Sequence, residues 1–120
     1  MSAAEPARDL AYKVLTGSEM RELERDGVFA GSEDDRRDGY VHLSTCDQLT
    51  ETVDRHFAGR DDLWTVAVDL DAHGDRLRWE PSRGGRLFPH LYEPMRLDAV
   101  TAYGPLQRDD DGTVRLPVAG

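Results

Sequence analysis

Asp38-Gly39-Tyr40-Val41-His42-Leu43-Ser44-Thr45 packs a turn, a short strand, a polar cluster and a helix start into one run. Asp38-Gly39 is a turn dipeptide, since glycine reaches positive φ without steric cost and aspartate bonds readily to nearby backbone. The next four residues alternate with period two. They read as a strand with Val41 and Leu43 on one face and Tyr40 and His42 on the other. With the aliphatic pair in the core, the phenol and the imidazole point together to the opposite side, and Ser44 and Thr45 add hydroxyls at the strand's end. Such a face is a candidate site wall. The competing reading is a half-exposed Tyr-His pair followed by a Ser-Thr helix cap, and residues further along the chain have to decide between them.

Working outward, 120 residues fit one domain with a core of its own. The expected limits are a flexible lead-in over 1–9, a single α+β domain over 10–106, and a hairpin strand or disordered tail over 107–120. No apolar run reaches the roughly 18 to 20 residues of a membrane span, and the N-terminus lacks the basic start and apolar centre of a signal peptide. A cytoplasmic location is the expectation, with which the single Cys46 agrees; it is read as a packing residue. The net charge of −9 repels nucleic acid and anionic membranes, so neither a long nucleic acid nor a membrane is expected as partner, and the sequence names no protein partner. The charge is uneven. Arg76, Arg78, Arg83, Arg86 and Arg96 stand against Glu80 and Glu93, a local balance of +3 that leaves −12 for the rest. A confined basic island suits a small anionic, nucleotide-like ligand, unless its arginines pair with surface acids.

Leu10 to Leu15 reads as the first strand, with Tyr12 and Val14 on one face and Ala11, Lys13 and Leu15 on the other; Lys13 is the only lysine. Thr16 and Glu19 form a capping box for a helix whose apolar stripe is Met20 and Leu23 and whose stop is Gly27. Ser32 to Arg37 reads as a charged loop, either solvated or a mobile lid. Thr45 and Gln48 suggest a second capping box, with Leu49, Val53 and Phe57 on one helix face and His56 suiting the C-terminal dipole. Leu63 to Leu70 is the most apolar strand and so the expected sheet centre. His73 follows in an exposed loop. Leu77 to Glu80 alternates as a strand and Pro81 to Arg86 as a flexible, donor-rich turn. Leu87 to Tyr92 brings aromatics and His90 together. A last strand, Leu97 to Leu106, is expected to pair through the turn at 109–112 with Val114 to Val118.

Three stretches thus offer chemistry: His42 with Ser44 and Thr45, Glu80, and the run from Ser82 and Arg83 to His90 and Tyr92. No metal is expected, because His42, His90 and Glu80 lack metal-motif spacing and neighbouring arginines repel a cation. No Gly-x-Ser-x-Gly elbow supports a serine triad, and no glycine-rich strand-to-helix loop supports a phosphate cradle. The set suits a ribose phosphate better. Arginines neutralise phosphates, an aromatic ring stacks on a base, and His and Glu bond ribose hydroxyls, the carboxylate stabilising positive charge that develops on the sugar.

The ordered set Tyr12-Lys13, Asp38 to Thr45, Trp79-Glu80, Gly84-Gly85 and Phe88-Pro89-His90-Leu91-Tyr92 resembles the bacterial domain-of-unknown-function 952 family over residues 10 to 106. That family is similar in fold to ADP-ribosyltransferases and RNA 2'-phosphotransferases. The resemblance implies two helices against a twisted, mostly antiparallel split sheet, and NAD or another ADP-ribose-type ligand. Its transferase pattern maps a ribose contact onto His42, orientation of the ribose and stabilisation of its cationic character onto Glu80, stacking onto Tyr92 or Tyr40, and pyrophosphate contacts onto Arg83 and Arg86, assisted by Ser44 or Thr45. Ser82 and His90 complete the expected binding set. Two functions follow: transfer of an ADP-ribosyl or related group, or a non-catalytic module for a nucleotide, phosphoester or protein partner. A third reading makes these residues a buried polar network that only stabilises the fold.

Overall fold

The computed structural model describes residues 9–118 in backbone; the side chain of Arg83 and the expected lead-in before Asp9 lie outside the described residues. Strand β1 (Leu10–Thr16) pairs antiparallel with β4 (Leu63–Asp69), and β4 pairs on its other edge with β8 (Val100–Pro105). The longest apolar run is therefore the centre of its sheet, as its composition predicts. A second antiparallel sheet orders β3 (Val41–His42), β6 (Leu87–Leu91) and β5 (Leu77–Pro81), and a small ribbon joins β2 (Val28–Phe29) to β7 (Met95–Arg96).

The alternation of β1 sorts its side chains into two cores. Ala11 and Leu15 face Met20, Leu23, Phe29, Val41, Leu91 and Met95, while Tyr12 and Val14 face Leu49, Val53 and Val114. The first sheet is thus covered on one face by α1 (Gly17–Asp26) and the second sheet, and on the other by α3 (Leu49–His56) and the C-terminal tail. The two sheets meet at one bridge. Tyr12 N–H donates to Ser44 O at 2.8 Å and Ser44 N–H returns to Tyr12 O at 2.9 Å. Beyond it β1 and β3 diverge, and the gap between them becomes the cleft described below.

The capping box at α1 is present: Thr16 Oγ1 accepts from Glu19 N–H at 3.2 Å and Glu19 Oε1 accepts from Thr16 N–H at 2.9 Å. Thr16→Ala is expected to cost about 1 kcal/mol of unfolding free energy in urea titration; a loss below about 0.3 kcal/mol would show the box to be redundant.

Several expectations need correction. Ser32 to Arg37 is no loop: α2 (Glu33–Asp38) has a capping box of its own, with Ser32 Oγ accepting from Asp35 N–H at 3.2 Å and Asp35 Oδ2 from Ser32 N–H at 2.9 Å. The described residues therefore hold three α-helices rather than two. Thr45 and Gln48 form only half a box: Gln48 Oε1 accepts from Thr45 N–H, but Gln48 N–H goes to the Thr45 carbonyl, so a turn precedes α3. His73 is buried, because a 3₁₀ segment (Leu70–Arg76) curls it inward to within 2.6 Å of Glu93 Oε2. Cys46 is exposed; partial desolvation and neighbouring Asp47 push its thiol up, against thiolate formation.

The last strand pairs with β4 instead of Val114 to Val118, since β4 still offers a free edge and Leu97–Ala99 is a 3₁₀ turn. The turn at 109–112 closes a smaller hairpin at Arg108 and Val114, whose apolar side chain completes the second core. No helix among the described residues is long and apolar enough to cross a membrane.

Candidate functional site

Asp35 is the centre of the polar chemistry, and the linear reading missed it. It is 2 % exposed, yet its carboxylate is saturated with donors. Oδ1 accepts from Lys13 Nζ at 3.1 Å, from His42 N–H at 3.0 Å and from His42 Nδ1 at 2.6 Å, while Oδ2 takes Lys13 Nζ at 2.9 Å and Ser32 N–H at 2.9 Å. Burial by itself pushes this carboxyl up. The His42 hydrogen bond, the Lys13 ammonium and the backbone N–H groups of Ser32 and His42 outweigh it and hold Asp35 well below the usual carboxylate range. Two signals for this site were in the sequence: a Ser-x-x-Asp capping spacing, and the chain's only lysine set in the middle of an apolar strand.

The consequence is an oriented imidazole. Because a carboxylate only accepts, His42 Nδ1 is the donor toward Asp35, and by the same rule Nε2, which faces outward, is the donor toward Asp38 Oδ2 3.0 Å away. Gly39, in the left-handed conformation at φ 88°, stops α2 and sends the chain into β3, which places Asp38 beside the ring four residues on.

On the neighbouring strand β6, His90 is the register partner of His42, with ring centroids 5.8 Å apart. His90 Nδ1 lies 2.8 Å from Glu80 Oε1, which also accepts from Tyr92 Oη–H at 2.7 Å. Burial lowers the basicity of the His90 ring, against the opposing pull of Glu80. The hydrogen bonds of Tyr92 and His90 in turn lower the Glu80 carboxyl. Tyr40 stacks on His90 at 4.0 Å and sits 4.6 Å from His42 and 5.3 Å from Tyr92. The period-two reading of Tyr40 and His42 thus holds, and His42 and Glu80, far apart in sequence, are separated by one intervening imidazole.

The cleft where β1 and β3 diverge has a volume of about 390 Å³. Of the expected site residues, His42, Ser44, Ser82 and His90 line it. Glu80, Tyr40 and Tyr92 do not line it: Glu80 bonds the cleft residue His90, Tyr40 stacks on His90, and Tyr92 bonds Glu80. The Ser44 and Thr52 hydroxyls bond each other at 2.8 Å across its end. Thr45 is used by the turn before α3 and does not line the cleft. Arg86 is turned away: it pairs with Glu51 of α3 and covers the Phe88 ring at 5.8 Å. Arg78 packs over Tyr92 at 5.1 Å, and Arg96 is taken by Asp98, Glu93 and the Ala72 carbonyl. Pairing with nearby partners therefore accounts for much of the basic island. Among the described residues, the Lys and Arg side chains that line the cleft come from elsewhere: Lys13, Arg37 and Arg55.

Among the described residues no group of three His, Cys, Asp or Glu side chains is disposed to hold a metal ion.

Comparison with known proteins adds the relationship that the geometry alone leaves open. The sequence profile of the family described as "Protein of unknown function (DUF952)" matches residues 14–103, which begins near the end of β1 and includes β3, β5, β6 and all three α-helices. The chain belongs to this family. The crystal structure of protein CC0527 from Caulobacter crescentus is similar to this DUF952 chain at 40% identity and a TM-score of 0.81, over 88% of this chain and 93% of that one. The solution NMR structure of the same protein gives 42% identity and a TM-score of 0.75, over 88% and 90%. A search of functionally curated proteins found no match.

Proposed function

We propose that the cleft binds NAD or another ADP-ribose-type ligand and that the chain transfers an ADP-ribosyl or related group. The observation that carries this reading is the His42 ring, held by buried Asp35 at the wall of a cleft of about 390 Å³, with the His90–Glu80–Tyr92 set directly beside it. That volume falls within the range of about 300–1,000 Å³ typical of small-molecule sites. The similarity in fold to ADP-ribosyltransferases and RNA 2'-phosphotransferases that the family resemblance implies points the same way.

In this reading His42 Nε2 meets a ribose hydroxyl, in exchange for its contact with Asp38. Glu80 acts as a positioning residue: it holds His90 and Tyr92 and lends negative charge to the side of the cleft where positive charge develops on the sugar. Phe57, Phe88 and Tyr12 supply the apolar wall for a ring. Arg86 has no part in it, since Glu51 holds it elsewhere.

One feature favours a second reading, a non-catalytic binding module: both ring nitrogens of His42 already face carboxylates, so the ring has no open position until Asp38 moves.

Thermal denaturation with NAD, ADP-ribose, ADP, nicotinamide and a 2'-phosphorylated nucleotide tests the proposal. A ligand at about 100 times its dissociation constant adds roughly 2.7 kcal/mol, a rise of several degrees in a domain of this size. NAD or ADP-ribose is expected to raise Tm in the unsubstituted chain and not in His42→Ala; a flat panel sinks the reading. Glu80→Gln separates enzyme from module. It abolishes turnover with little change in affinity if the chain is a transferase, and no ligand is consumed by either protein if it is a module.

A further inference from the structure

We infer that the cleft accepts its ligand in one orientation, a phosphate against α3 and sugar hydroxyls against α2, and that Arg55 is the residue that holds the phosphate. This deepens the ADP-ribose reading and rests on it.

The argument starts from charge on α3. The helix carries two acids, and both are engaged away from the cleft: Glu51 by Arg86, and Asp54 by Arg108 at 2.8 Å. Arg55 has no ion pair with another described residue and is exposed at the cleft wall. Its direction is set by the core. Leu49, Val53 and Phe57 lock one face of α3 against β1 and β4, which fixes the rotation of the helix. Thr52, Arg55 and His56, at i, i+3 and i+4, then share the adjacent face, and all three line the cleft.

The part of the lining that α2 supplies has the reverse character. Asp34, Asp35 and Asp38 line the cleft from α2. Arg37 bridges Asp34 and Asp38, each at 3.1 Å, and Lys13 is bound to Asp35, so the cations on this side are already matched by carboxylates. An anion at α2 would meet three carboxylates, whereas at α3 it meets a guanidinium able to form a bidentate pair. Sugar hydroxyls are donors and suit the carboxylate side, next to His42. The ligand class that satisfies both walls is a ribosyl phosphate or pyrophosphate. A nucleoside lacks the anchor for α3, and inorganic phosphate lacks the diol for α2.

Calorimetric titration of the full chain with ADP-ribose, adenosine and inorganic phosphate tests this, comparing the unsubstituted protein with Arg55→Ala and Arg55→Lys. Because Arg55 is exposed, neither substitution removes core packing. Arg55→Ala is expected to weaken ADP-ribose about tenfold or more, as for loss of a charged hydrogen-bonding partner. Adenosine affinity should be unchanged, and Arg55→Lys should recover part of the loss as a point charge without the fork. Equal affinity for ADP-ribose in Arg55→Ala and the unsubstituted chain overturns the orientation while leaving the ligand class standing; so does an equal loss for ADP-ribose and adenosine. An unsubstituted chain that binds neither ADP-ribose nor adenosine overturns the ligand reading itself and the orientation with it.

Discussion

Asp35→Ala is expected to lower the unfolding free energy by about 3–5 kcal/mol, the range for removing one partner of a buried ion pair. The lost attraction is the smaller part of the cost. What remains behind is the Lys13 ammonium, whose side chain is only 9% exposed, together with the Ser32 and His42 amides and the His42 ring, all deprived of their acceptor. Guanidinium titration monitored by Trp64 and Trp79 fluorescence checks it. A loss under about 1 kcal/mol would mean that water enters and replaces the carboxylate. Lys13→Met combined with Asp35→Leu should lose less than Asp35→Ala alone, because an apolar pair leaves no stranded charge, but it cannot restore the two amide contacts.

The pH dependence has a definite sign. The Asp35 carboxyl is depressed in the fold, so its contribution is complete above the unfolded aspartate value of about 3.9 and is lost as pH falls from there through the folded value. The stability gap between the unsubstituted chain and Asp35→Asn is therefore expected to be constant near neutrality and to narrow below about pH 4. A gap that narrows on the alkaline side instead would contradict the assignment.

Leu91→Ala is expected to cost about 2–5 kcal/mol and to damage the site without touching it. Leu91 is fully buried on β6, the centre of the second sheet, opposite Val41 on β3 and Leu77 on β5. Its neighbour His90 points to the other face, so the substitution removes no polar contact. The lost methyl groups leave a cavity under both flanking strands, and those strands carry His42 and Glu80. Urea titration should show the loss, and any thermal stabilisation by ADP-ribose should shrink with it. Full retention of stability would mean that the core collapses around the gap; full retention of the ligand effect at reduced stability would show that the site is held by its polar bonds alone.

Much of this was legible along the chain, and the particular residues show where legibility ended. The period-two runs at Leu10 to Leu15 and Tyr40 to Leu43 each sorted their side chains onto the correct faces, because alternation is a property of the strand itself. Thr16-x-x-Glu19 announced α1 for the same local reason. Ser32-x-x-Asp35 is an equally local signal, masked because six successive charges after Ser32 look like solvated loop. His73 and Arg86 could not be placed this way. One is turned inward by a 3₁₀ curl, and the other is drawn to Glu51 on a helix 35 residues earlier.

By itself the sequence determined the α+β class, the central place of Leu63 to Leu70, and the pairing of Tyr40 with His42 on one face, since each depends on backbone periodicity over a few residues. Only the tertiary structure decided that Asp35 joins Lys13 to His42, that His90 links His42 to Glu80, and that Arg55 rather than Arg86 reaches the cleft. Those facts depend on where β1 and β3 separate and how α2 and α3 rotate against them. Electrostatic partners are chosen by distance in space, over a few ångströms, and spacing along the chain carries no record of that distance.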